Sequence, residues 1–144
     1  MLSVVVRVRV RLWRGDRVLE TSALANSGYE AETPQILVPR VVAETLGLWP
    51  PPPGAETVFE TAGGPLHVWV IPRACNAKVI AEGAESPEVV VDIVVSLIAD
   101  EVLLSDKAIS ELQIALEDVG RGLWRFRWEP KEVLRKSEPP KIWK

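Results

Sequence analysis

Ala23-Leu24-Ala25-Asn26-Ser27-Gly28-Tyr29 places three polar or small residues at the end of an apolar strand. Apolar residues followed by Asx, Ser and Gly make a loop that carries a polar side chain into a guarded cleft. Gly28 permits a tight backbone turn, and the short hydroxyl of Ser27 can brace a partner loop by hydrogen bonding.

Upstream, Val4, Val6, Val8, Val10 and Leu12 alternate with Arg7, Arg9 and Arg11, the period of two that gives a strand one dry and one wet face. Arg14-Gly15-Asp16-Arg17 reverses the chain into a second strand, Val18 to Ala25. Arg-Gly-Asp here is a hairpin turn rather than an adhesion motif, which would need an extracellular loop. Downstream, Gln35 to Val38 forms a short strand. Pro39 then opens a helix with an apolar stripe of Val41, Val42, Thr45 and Leu46, and Gly47 stops it. Trp49 and Pro50 to Pro53, closed by Gly54, form a stiff connector that cannot enter a sheet ladder. Lacking basic flanks, the proline run is a rigid loop rather than an SH3-type ligand.

Thr57 to Thr61 and Leu66 to Ile71 are strand-like and joined by Ala62-Gly63-Gly64-Pro65, whose glycines supply positive φ and mobility to a hairpin able to lift and close. His67, the single histidine, has no Ser or Cys motif to serve and is read as structural. Ala77 to Ala81 and Glu88 to Leu97 are two further strands; Val89-Val90-Val91-Asp92-Ile93-Val94-Val95 is too β-branched for a helix and belongs inside a sheet. After Val102-Leu103-Leu104, Ser105 or Asp106 caps a helix whose inward stripe is Ile109 and Leu112. Asp106 is thus a cap rather than a second acid. Ala115 to Gly122 connects to a last amphipathic strand, where Trp124, Phe126 and Trp128 alternate with Arg125 and Arg127. From Glu129 the chain turns polar and proline-bearing, a surface tail.

Three stretches together, Ala23 to Tyr29, Ile36 to Leu48 and Leu103 to Ile114, resemble the active-site region of retropepsin-like aspartic proteases. That family carries Asp-Thr/Ser-Gly, then a proline- and alanine-bearing segment ending in Leu-Gly-Leu, and later an apolar-apolar-Gly strand before a short helix. Ser105 stands here in the usual Gly place, and Asn26 where the catalytic Asp would be. The resemblance covers roughly residues 18–128. It implies a mainly β, closed barrel with one or two short helices, residues 1–128 as one domain and 129–144 as a tail. It places Asn26, Ser27 and Gly28 at the site and Ala62, Gly63, Gly64 and Pro65 as the flap. Since the family builds its site from two such loops, a single copy in this chain implies a homodimer with a peptide or protein substrate and no cofactor.

An aspartic protease works because two close carboxylates share a proton: one acts as base on a water while the other donates to the peptide carbonyl. An amide can neither accept a proton at accessible pH nor hand one on, so with Asn26 in both subunits the pair has no base. Three explanations stay open. The chain is a natural inactive homologue with a peptide-binding cleft; or Asp→Asn was introduced to inactivate an active endopeptidase; or Asn26-Ser27 deamidates to Asp. A rival of another class is a structural or adaptor dimer, which the two departures at Asn26 and Ser105 favour. An enzyme using other residues finds no Ser-His-Asp set, phosphate loop, dinucleotide fingerprint or zinc spacing.

The composition bounds these readings. A chain of 144 residues fits one domain with one ordinary core. With 26% charged and 47% hydrophobic residues it reads as globular, and a net charge of −3 with interspersed signs argues against a nucleic-acid partner. Asp92 and Asp100-Glu101 interrupt the longest apolar run, so no membrane span is expected, and the arginine-bearing N-terminus lacks a signal-peptide core. A cytoplasmic location follows. Cys75, alone and without a His/Cys cluster, offers neither a disulfide nor a metal site and reads as a buried, inert thiol. Asn and Gln number only four against 12 prolines, a composition that suits a heat-adapted source.

Overall fold

A computed structural model describes residues 5–144; Val4, the first residue of the alternating run, lies outside them. The opening hairpin forms as its alternation dictates. Strands β1 (Arg7–Arg14) and β2 (Arg17–Ala25) pair antiparallel about Gly15, at φ 61°. Val6, Val8, Val10 and Leu12 are buried, while Arg7 reaches Glu101 at 2.6 Å and Arg11 reaches Glu20 at 2.8 Å on the outer face.

The chain continues through β3 (Gln35–Pro39), α1 (Arg40–Thr45), β4 (Glu56–Thr61), β5 (Gly64–Ala81), β6 (Ala84–Glu85), β7 (Val89–Ser96), β8 (Val102–Leu104), α2 (Asp106–Glu111), β9 (Ile114–Asp118), β10 (Leu123–Phe126) and β11 (Arg135–Lys136). Pro39 ends its strand and caps α1 rather than opening the helix. The two strands expected at Leu66 to Ile71 and Ala77 to Ala81 are one strand, β5, interrupted where its register on β7 shifts between Ile71 and Cys75. Residues 115–118, expected as connector, lie in strand β9 because Gln113, at φ 65°, turns the chain out of α2 and back onto β10.

Six strands close into a barrel in the order β1-β2-β8-β3-β7-β5, with β5 returning to β1 at Val10↔Val79 and Leu12↔Ala77. Closure leaves β4 outside, paired with β5 alone among the described strands. The protein is therefore a mainly β, closed barrel with two short helices, as the resemblance implies.

Strand alternation sorts the apolar residues into two clusters. Ile36, Val38, Val91, Ile93, Val95, Val102 and Leu104 fill the barrel with the residues of the opening hairpin. Their neighbours Leu37, Val94 and Val68 point the other way and form a second cluster with Tyr29, Phe59, Leu66 and Leu103. Strands buried on both faces read as continuous apolar runs, which is why Val89 to Val95 carries so little polarity. Cys75 is buried in the barrel cluster, and burial pushes its thiol up to about 11, far from reactive. Among the described residues no helix is long and apolar enough to cross a membrane.

Residues after Glu129 are tied to the barrel. Arg7 N–H donates to Ser137 Oγ at 2.7 Å, Glu138 N–H to Arg7 O at 2.8 Å, and Trp143 Nε1–H to Thr21 Oγ1 at 2.9 Å. Arg135 meets Glu129 in two bonds of 2.9 and 2.6 Å, its guanidinium over the Trp124 and Phe126 rings. The hydrogen bonds from Arg135 hold the Glu129 carboxyl below the usual carboxylate range, outweighing burial, which acts in the opposite direction. A pKa lowered by folding adds stability that is complete above the unfolded value and is lost as pH falls through the folded one. Thermal denaturation at descending pH should show the native chain losing more stability across the acidic range than Glu129→Gln. Parallel pH profiles would remove the pair from the account.

Candidate functional site

The Asn26 loop leaves β2 at the point where the chain crosses between parallel strands. Ala25 lies beside Leu104 in the parallel β2–β8 ladder, and Asn26 N–H donates to Leu104 O at 3.2 Å. Beyond it the loop turns on its own polar atoms: Asn26 Oδ1 accepts Gly28 N–H at 3.1 Å, and Tyr29 N–H reaches Asn26 O at 3.0 Å. A Cβ on Gly28 would stand 3.3 Å from Asn26 Oδ1, so glycine supplies room beside the amide; its φ is not in the left-handed region.

The junction of β8 and α2 holds this loop from below. Ser105 is fully buried, and its hydroxyl accepts both Ala108 N–H at 3.2 Å, capping α2, and Gln35 N–H at 3.0 Å, joining β3. Its own N–H donates to Gln35 O at 3.0 Å. Asp106 N–H donates to Tyr29 O at 2.8 Å, while Asp106 Oδ1 accepts Ala31 N–H at 3.0 Å and Lys107 N–H at 2.7 Å. Ser105 thus caps the helix, and Asp106 is engaged in bracing the loop.

Above the loop stands the β4–β5 hairpin. Its tip is a two-residue turn, Ala62-Gly63, closed by Thr61, whose Oγ1 accepts Gly63 N–H at 3.2 Å and donates to Gly64 O at 2.6 Å. Of the two glycines, Gly64 alone has positive φ, at 109°. His67 lies exposed on this hairpin, 3.9 Å from Glu56.

Between hairpin and loop is a cleft of about 740 Å³. Asn26, Gly28 and Tyr29 line one side, Gln35, Leu37 and Leu103 its wall, and Val58 to Ala62 with Leu66 the hairpin side. Of the site residues expected from the sequence, Asn26, Gly28 and Ala62 share this cleft; Ser27, Gly63, Gly64 and Pro65 do not line it. Sequence reasoning missed Tyr29 and Gln35, whose side chains meet at 2.9 Å. Burial raises the Tyr29 phenol above the ordinary tyrosine range, and the charge of Asp92 adds to it, so the hydroxyl stays protonated and donating. It also missed the apolar wall. The signal was the alternation of β3: with Ile36 and Val38 in the barrel, Gln35 and Leu37 must face away from it.

No protein-family model matches the chain, and no curated protein matches it. Among the described residues no group of three or more His, Cys, Asp or Glu side chains could hold a metal ion. Fold and site together define a closed β-barrel with an Asx-Ser-Gly loop facing an edge hairpin across an apolar-walled groove.

Proposed function

We propose that the chain is a retropepsin-like aspartic protease homologue that works as a homodimer, keeps a peptide-binding cleft and does not cleave what it binds, because Asn26 stands at the position of the catalytic Asp. The observation carrying this is the placement of Asn26 and Gly28 across a cleft from a hairpin whose outer strand, β4, has no second partner among the described strands. An open strand edge over an apolar groove suits an extended peptide, whose main chain can join the ladder while side chains enter the groove. The single Asx-Ser-Gly loop supplies half of a two-loop site, which is the reason for the dimer. Ser105, the second departure from the family pattern, weighs little for a purely structural dimer: its buried hydroxyl ties β3 to α2 and so supports the loop.

Material whose intact mass confirms Asn at residue 26 should sediment as a dimer and bind labelled apolar peptides without producing fragments between acidic and neutral pH. Efficient turnover would overturn the inactive reading, and a monomer that binds no peptide would overturn the cleft.

A further inference from the structure

The cleft's charge is one-sided. Two acids, Glu30 and Glu60, are among its lining residues, and no Lys, Arg or His is. Neither carboxylate has a cationic or hydrogen-bonding side-chain partner among the described residues, in contrast to Glu20, Glu101, Glu117, Glu129 and Glu138, each paired with an arginine. Behind the Tyr29–Gln35 contact, Asp92 adds a third negative charge: among the described residues its oxygens accept only neutral donors, Thr33 Oγ1–H at 2.7 Å and Arg73 N–H at 2.8 Å. That charge is felt inside the cleft, where it helps to raise the Tyr29 phenol.

The rest of the lining is apolar and lies deeper. Leu37 is buried, Phe59 and Leu66 are half-buried, and Glu30 and Glu60 are exposed. A groove with a greasy wall and an anionic rim matches a long side chain that lays a hydrocarbon stem on the wall and holds a cation at the edge. Lys and Arg are the residues built that way. Arg adds charge-assisted hydrogen bonds to carboxylates.

We propose that the cleft selects an extended peptide segment in which a Lys or Arg side chain, answered by Glu30 and Glu60, sits among apolar side chains that occupy the wall of Leu37, Phe59 and Leu66. The selection rests on the peptide-cleft reading above and adds a charge requirement to it. Partly exposed charge pairs are weak individually, so the preference is modest and salt-dependent.

The test uses two matched pools of short fluorescein-labelled peptides, randomised among apolar residues around a central Arg in one pool and citrulline in the other. Citrulline keeps the shape and removes the charge. Fluorescence anisotropy with the full chain at low salt should show the Arg pool binding about 3- to 10-fold more tightly. In the doubly substituted Glu30→Gln, Glu60→Gln chain, with circular dichroism unchanged, that gap should close while citrulline-pool affinity stays the same. Equal binding of both pools by the native chain, or a gap that survives the double substitution, overturns the charge requirement and leaves the peptide cleft standing. Failure of both pools to bind overturns the cleft reading and this selection together.

Discussion

The Asn26→Asp form is expected to cleave peptides about 100- to 10,000-fold faster than the chain bearing Asn26, the range a positioned acid–base group contributes. The substitution is close to isosteric, and the oxygen that accepts Gly28 N–H at 3.1 Å is present in both side chains. Loop geometry, set by Leu104 O, Tyr29 O and Asp106, does not depend on the atom exchanged. What changes is the proton inventory: in the proposed dimer two substituted carboxylates, one from each subunit, would not both ionise comfortably, and the shared proton would give one base and one acid. Rate against pH should therefore be bell-shaped on the acidic side, and an aspartic-protease inhibitor should abolish it. If the Asp form binds peptide, dimerises and remains silent, the site has lost more than a carboxylate and the family reading fails at its chemical core. Intact mass on both proteins separates slow deamidation from true activity of the Asn form.

Ser105→Ala is expected to cost about 2–4 kcal/mol of stability, because it orphans two backbone donors at once. Ala108 N–H loses its cap and Gln35 N–H loses its only acceptor across the β3–α2 junction, at a residue with no solvent exposure to supply water. For a chain of this size the melting temperature should fall by about 6–12 °C. Peptide binding should weaken with it even well below the melting range, since the same junction carries the bonds from Asp106 to Tyr29 O and Ala31 N–H. A loss below about 1 kcal/mol would mean that both donors find other acceptors, and Ser105 would then no longer explain how the loop is held.

The hairpin at Gly15, the buried alternation of β1, the two-faced burial of β7 and the cap at Ser105 were all legible, because each follows from local periodicity or local hydrogen bonding. The continuity of β5 was not. Pro72, Arg73 and Ala74 break the apolar pattern, yet the strand passes through them, since Asp92 Oδ1 takes the Arg73 N–H that the irregular backbone at φ 48° frees from the ladder. A side chain nineteen residues away cannot be assigned that duty from sequence. The same holds for β9, whose pairing depends on a turn at Gln113, and for the tail, whose bonds to Arg7 and Thr21 join opposite ends of the chain. At the site, the Asn26 loop and the hairpin tip announce themselves through Gly and polar residues, whereas nothing local in the sequence marks Glu30 and Glu60, which lie thirty residues apart and share a cleft only in the folded chain.

Strand β5 has a mechanical meaning as well. Its first half carries the hairpin over the cleft, and its last third closes the barrel on β1. Trp69, Val70 and Ile71 keep one register on β7, and Cys75, Asn76 and Ala77 keep another, with Arg73 pinned between them. The bulge works as a fulcrum that belongs to neither ladder. Any lifting or twisting of the hairpin would then load the arm alone and spare the seam that keeps the barrel shut.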